Sequence, residues 1–375
     1  MRALLRILVI NLLVLLGLVL GFNLLGALVL DLNQMVERRD GSSDERLGLP
    51  VFDDDRETAA AAFADRAQLR MDYKPFLEWA PSTFNGQVTQ IGADGLRAVP
   101  ASGNAGEPVR LFGGSTMWGT GVSDAQTIPG QVARLLPARP VVNHAQSGYV
   151  SRQGVEALVN VVNQRQPLGT IVFYDGVNDV FVGCSTAISV NGHIQEPRMR
   201  AAIDASGVER SWLRDLLYGA SLPFVRRVVD KLAFELGGAP ILDTGPQGAP
   251  SRCRGNPAEA ERVADTLIAN WRLAARMTAE AGGHFLAVLQ PVAYQGAPNI
   301  AHLALETDMV EDYAAVYPVL QRKLAGITDF AVVDLSATYD GTTAHYMDWA
   351  HVNAAGNAKM AEAIVTTVRG RNLLP

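Results

Sequence analysis

An excess of positive charge, cysteine beyond a single pair, and internal repeats are all missing from this chain of 375 residues. Lys and Arg total 32 against 38 Asp and Glu, giving a formal net charge of −6. No basic run or basic-aromatic stripe offers the electrostatic footprint that nucleic-acid binding needs, so nucleic acid is not an expected partner. Two cysteines, Cys184 and Cys253, are too few for a thiolate metal cluster. His144, His284 and His345 lack a partner at ligand spacing and are read as structural, so no metal and no organic cofactor is expected.

Long apolar runs are also absent, with one exception. Ile7 to Leu30 (ILVINLLVLLGLVLGFNLLGALVL) is 24 residues without a charge, enough as a helix to span a hydrocarbon layer of ~30 Å. A cleaved signal peptide is the competing reading. Its apolar region would be shorter, and no small-x-small cleavage site precedes Asp31, so an uncleaved transmembrane anchor is expected. Arg2 and Arg6 lie before the span, while Asp31 follows it and Arg38 and Arg39 stand beside Glu37 and Asp40. The positive-inside rule then puts the N-terminus in the cytoplasm and the bulk of the chain outside it, in the periplasm. Gly17 and Gly21 form one GxxxG, a pattern that glycine-rich membrane helices often carry without pairing. In an oxidising compartment a Cys184–Cys253 disulfide is favoured over two free thiols or half a metal site.

With 48% hydrophobic residues the remainder can bury a sizeable core. Residues 32–106 read as a juxtamembrane spacer, polar through DGSSDER and DDDRE, then a short helix through AAAAFADRAQLR and a lead-in of short extended segments and turns over 72–100. From 107 to 375 an apolar run, a turn and a helical stretch alternate. Strands are expected at 109–114, 141–145, 170–176, 284–291 and 330–336, and helices at 125–136, 151–164, 258–282, 307–325 and 354–369. Strands apolar on both faces that alternate with helices predict an α/β fold, a three-layer α/β/α sandwich on a mainly parallel five-stranded sheet. An insertion at about 182–257 breaks the alternation. It holds the helical RSWLRDLLYGASLPFVRRVVDKLAFEL and the Gly/Pro-rich GGAPILDTGPQGAPSRCRGNP, and a Cys184–Cys253 bridge would staple its base.

The chain is organised around LFGGSTMWGTG, residues 111–121, where Ser115 stands at a strand-to-helix turn with Gly113 and Gly114 before it. Glycine-serine turns are common and most only connect elements. Three later blocks give this one its meaning: AQSGYVS with Gly148, YDGVNDV with Asn178, and DWAHVNAAG with Asp348 and His351. In an open α/β sheet ligands bind at the carboxyl ends of the strands, where these blocks fall. A serine hydroxyl needs a base within hydrogen-bond reach, and a carboxylate three residues before a histidine can orient that base. Alone, the DxxH pair would read as a helix cap, Gly148 as a turn glycine and Asn178 as a cap in GVND.

In this order, Ser115, Gly148, Asn178 and His351 resemble the four signature blocks of the SGNH (GDSL-like) hydrolases, and the resemblance spans about 107–370. It implies a flavodoxin-like sandwich and a catalytic set of Ser115, Asp348 and His351. It also implies an oxyanion hole formed by the Ser115 and Gly148 backbone N–H groups and the Asn178 side chain. The chain departs from the commonest family pattern at Gly114, where Asp usually precedes the serine. Asp175 and Asp179 beside Asn178 read as backbone-bonded turn acids, with a metal site as the alternative. Trp118, Tyr149, Phe181 and Trp349 are candidates for a sugar platform or acyl pocket, or for core.

Anchored SGNH-like proteins of polysaccharide modification point to O-acyl, above all O-acetyl, groups of cell-surface or exported polysaccharide as substrate, with export or acetylation machinery as partner. An O-acetyltransferase with the same triad, a lipid-directed esterase and a non-catalytic polysaccharide-binding module are the alternatives.

Overall fold

The structure, a computed structural model, describes residues 2–39, 44–207, 250–305 and 309–374. The chain forms two compact units, Met1–Asp40 with Gln195–Gln247, and Gly41–Ile194 with Gly248–Pro375. In the first, α1 (Arg2–Arg39) contains the one stretch among the described residues that is long and apolar enough to cross a membrane. That stretch is Val9–Gly26, with a mean hydropathy of 2.3. Leu13, Leu18, Phe22 and Leu24 of this helix are exposed. The same unit holds α7 (Glu196–Gly207). The helical stretch and Gly/Pro-rich loop expected beyond it fall largely in 208–249, outside the described residues.

The second unit is built on a parallel sheet. Its strands are β5 (Val109–Gly113), β6 (Val141–Asn143), β7 (Thr170–Asp175), β8 (His284–Leu289) and β9 (Ala331–Asp334), in spatial order β6-β5-β7-β8-β9. Every expected strand is present, each shorter by one to three residues.

Alternation along the central strands explains the three layers. Phe112, Ile171, Phe173, Ala287 and Leu289 face one core, with α5 (Ser151–Asn163), α6 (Val177–Cys184), α8 (Pro257–Glu280) and α9 (Val310–Leu324). Leu111, Val172, Tyr174, Leu286 and Val288 face the other, with α4 (Ile128–Leu135) and α10 (Ala354–Gly370). Successive side chains on a strand point to opposite faces, so a strand apolar at every position must be covered on both. Trp271 of α8, fully buried, donates its indole N–H to Asp175 Oδ2 at 2.8 Å. The Cys184–Cys253 disulfide is present, and beside it Arg252 N–H donates to Cys184 O at 2.7 Å. Closing a loop of this length is worth about 4 kcal/mol in the chain-entropy model.

The expected spacer needs correction. Residues 44–68 form two short 3-10 turns, Glu45–Gly48 and Pro50–Phe52, and α2 (Arg56–Gln68). Leu47, Phe52, Ala59 and Phe63 form a small core with Val122 and Met347. Burial of a Leu or Phe side chain contributes ~1.5–3 kcal/mol, so this stretch is part of the folded body. Asp65 fixes it further by accepting the N–H groups of Gln87, Val88 and Thr89 at 2.8–2.9 Å. The lead-in follows as two antiparallel pairs, β1 (Met71–Lys74) with β2 (Glu78–Pro81) and β3 (Phe84–Asn85) with β4 (Gln90–Ile91).

Candidate active site

The carboxyl ends of β5, β6 and β7 bring three of the four blocks to one edge. β5 stops at the glycine pair because the one-turn helix α3 (Ser115–Trp118) starts at once, with Gly114 as its N-cap. A Cβ on Gly114 would overlap the Asn178 amide nitrogen and crowd Tyr149 O. The lack of a side chain at Gly114 is therefore what lets the asparagine block lie against the serine turn.

The fourth block arrives on the loop before α10. Met347 N–H donates to His351 O and Asn353 N–H to His345 O, both at 2.9 Å, which folds 345–353 into a tight hairpin. Asn353 caps α10 through Gly356 N–H, ending the loop at a fixed place. The hairpin presents His351 so that Nε2 lies 2.8 Å from Ser115 Oγ. Nδ1 lies 2.8 and 2.9 Å from the two Asp348 oxygens, and Asp348 Oδ1 also accepts the N–H groups of Ala350 and His351. Nδ1 therefore carries the proton toward Asp348, and Nε2 is free to accept one from Ser115. Burial works to raise the Asp348 pKa, but His351 and the two backbone donors outweigh it and hold the carboxyl below the usual carboxylate range.

Asn178 lies against Gly114, the residue before the serine, and bonds Tyr149, the residue after Gly148. Gly148 has φ +82°, a conformation that side chains rarely adopt, and a Cβ there would run into Ile194. Asn178 Nδ2 donates to Tyr149 O at 2.7 Å, locking the amide between the second and third blocks, and Tyr149 Oη donates to Trp79 O at 2.5 Å.

Asp175 and Asp179 point into the core. Burial first, and Asp179 second, raise Asp175 well above the usual carboxylate range, and burial raises Asp179, whose Oδ1 accepts the N–H and Oγ–H of Ser151. Among the described residues no group of three or more His, Cys, Asp or Glu side chains is arranged to hold a metal. Of the four aromatics, Trp118 and Tyr149 are core residues at 2% and 3% exposure. Phe181 and Trp349 are half-buried, with ring centroids 5.9 Å apart.

Sequence reasoning missed three arginines. Arg97 is buried, pairs with Asp124 at 2.7 Å, and donates to the carbonyls of Trp118, Gly119 and Val122, gripping the turn that follows α3. Burial lowers its pKa despite Asp124. Arg66 Nη1 donates to Thr120 Oγ1 at 2.7 Å and to Ser147 Oγ at 3.1 Å, next to Gly148. Arg46 Nη1 donates to Asp348 Oδ2 at 3.0 Å. Their partners lie tens to hundreds of residues away, beyond the reach of any local pattern.

No protein-family model and no curated protein matches the chain. Among solved structures it is similar to an arylesterase described as putative from Agrobacterium tumefaciens, at 16% identity and TM-score 0.39 over 72% of this chain and 100% of that one. It is also similar to a carbohydrate acetylesterase family member from Sinorhizobium meliloti, at 18% identity and TM-score 0.35 over 70% and 98%. A third is an acetylxylan esterase from Geobacillus stearothermophilus, at 14% identity and TM-score 0.35 over 71% and 95%. These likenesses are distant, and what the site can do follows from its own geometry. The order of its four blocks and the parallel sheet that gathers them resemble those of the SGNH hydrolases.

Proposed function

We propose that the protein is a membrane-anchored serine esterase acting outside the cytoplasm, which removes O-acyl, chiefly O-acetyl, groups from cell-surface or exported polysaccharide. The observation that carries the esterase reading is the hydrogen-bonded line from Ser115 Oγ through His351 to Asp348, with Asn178 against the preceding Gly114. Ser115 Oγ attacks the ester carbonyl carbon as its proton passes to His351 Nε2, and Asp348 stabilises the imidazolium. The oxyanion is held by the Ser115 and Gly148 N–H groups and by Asn178 Nδ2, which would turn from Tyr149 O toward it. Collapse breaks the bond to the alcohol, which takes the proton from Nε2. Water then attacks the acyl-enzyme by the same route and releases the acid.

The membrane anchor is supported by Val9–Gly26, and the carbohydrate substrate by the resemblance to anchored proteins of polysaccharide modification. The half-buried Phe181 and Trp349, on the Asn178 and Asp348 blocks, offer apolar faces for a sugar ring or a short acyl group.

The test is hydrolysis of p-nitrophenyl acetate, butyrate and octanoate by the full chain in detergent, with Ser115→Ala as control. Turnover should be fastest on acetate and fall at least about 10³-fold in the variant. Fastest turnover on octanoate would replace the acetyl-ester reading with a lipid-directed one, and turnover untouched by Ser115→Ala would overturn the triad. Acyl transfer to an added oligosaccharide in preference to water would identify a transferase, which shares the first half-reaction.

A further inference from the structure

The triad acid has a partner outside the four blocks. Arg46 Nη1 donates to Asp348 Oδ2, the oxygen that also faces His351 Nδ1. Its other guanidinium nitrogens are held by Asp44, Nε on Oδ1 at 2.9 Å and Nη2 on Oδ2 at 2.7 Å, while Asp44 Oδ1 caps the turn by accepting Arg46 N–H. The guanidinium lies over the Phe63 ring at 4.3 Å. A planar fork fixed on three sides gives its remaining donor a set direction, which a lysine could not do. The same stretch touches the fourth block again, where Asn353 Nδ2 donates to Val51 O at 3.0 Å.

We infer that Arg46 is a positioning residue for the esterase chemistry, setting the orientation and charge of Asp348 and through it the basicity of His351; the inference rests on the serine-esterase reading above. Asp348 is where the imidazolium finds its counter-charge, and a cation on the same oxygen draws off part of that charge. The charged groups around Asp348 are Arg46 and Asp44 on the 44–48 turn, Arg66 on α2, and His351 itself. Of these, Arg46 and His351 bond the carboxylate with their side chains. Residues 44–46 thereby make the stretch that follows the apolar helix part of the catalytic apparatus. An SGNH core beginning at residue 107 would lack it.

The test is a double-mutant cycle in the full chain, measuring kcat, KM and the pH profile of kcat/KM on p-nitrophenyl acetate. Arg46→Ala should lower kcat about tenfold with KM changed less than about twofold, since Arg46 faces the acid and not the substrate. The acid limb of kcat/KM should move to higher pH, because the imidazolium would keep the whole charge of Asp348. Arg46→Lys should restore part of kcat. In an Asp348→Asn background Arg46→Ala should have almost no further effect, as an arginine acting through Asp348 requires. An unchanged kcat and acid limb, or an equal loss in both backgrounds, overturns the role. Should Arg46→Ala unfold, Arg46→Gln keeps much of the stem over Phe63 and serves in its place. Wild-type protein without Ser115-dependent turnover would sink the esterase reading and this role with it, whereas an active wild type with an indifferent Arg46→Ala sinks this role alone.

Discussion

Two arginines from the N-terminal third grip the two turns on which the site depends, and they do so under opposite conditions. Arg97 is buried, and its guanidinium is spent on Asp124 and on four other oxygens around the turn that follows Ser115. Arg46 keeps 29% of its side chain exposed, and it holds Asp348. Burial shifts both members of the Arg97–Asp124 pair against their charged forms, so the pair is not in itself a source of stability. Its value lies in a complete set of bonds that leaves no charge alone in the core. Arg46 is raised by Asp44 and Asp348 against the opposing effect of its burial. The difference separates scaffold from tuning: removing the first arginine should cost the fold, and removing the second should cost the chemistry.

The comparison breaks most visibly at Arg97. Arg97→Ala strands Asp124, 5% exposed, as an unpaired buried carboxylate, and should cost about 3–5 kcal/mol in a urea melt of the full chain. A loss near 1 kcal/mol would show that the turn after α3 does not need the plug. Next in size is Gly114→Asp, which introduces the tripeptide commonest in the family the chain resembles. Its Cβ would displace the Asn178 amide, so kcat should fall about 10²-fold, the cost of one oxyanion donor. Equal or better activity in that variant would mean the asparagine block can retreat.

Smaller still is the acid response of Asp348. Its folded-state pKa is depressed, so the stability it contributes is present above the unfolded value of about 4 and is lost as pH falls below it. The Tm gap between wild type and Asp348→Asn should shrink between pH 6 and 3, and a gap that widens on acidification would reverse the assigned sign. Smallest is the stability cost of Arg46→Ala, within about 1 kcal/mol for an ion pair that keeps 29% and 20% of its side chains exposed. Set beside its tenfold effect on kcat, that small cost is what distinguishes it from Arg97.

Much of the sheet was legible because Ile171 to Tyr174 and Leu286 to Leu289 are apolar at every position, a pattern that only coverage on both faces explains. Ser115, Asp348 and His351 stood out only through the order of the four blocks, since singly a glycine-serine turn reads as a connector and a DxxH pair as a helix cap; the structure joins the three by hydrogen bonds. Arg46 was hidden in a charged stretch that reads as solvated spacer, with only Leu47 and Phe52 to hint at packing. Arg46 and Asp348 are 302 positions apart, and no periodicity encodes such a contact. Trp118 and Tyr149 sit in the serine and Gly148 blocks yet are buried, Trp118 in the core with Leu111 and Val132 and Tyr149 bonded to Trp79 O, contacts that block spacing does not encode.

Whether Ser115 is a nucleophile activated by His351 is tested by covalent labelling of the full chain with a fluorophosphonate, located by mass spectrometry. One adduct is expected, on Ser115, with esterase activity lost in step and labelling at least about 10²-fold slower in His351→Ala. Continued ester hydrolysis after the reagent has left Ser115 unmodified, or an adduct on another residue, would contradict it.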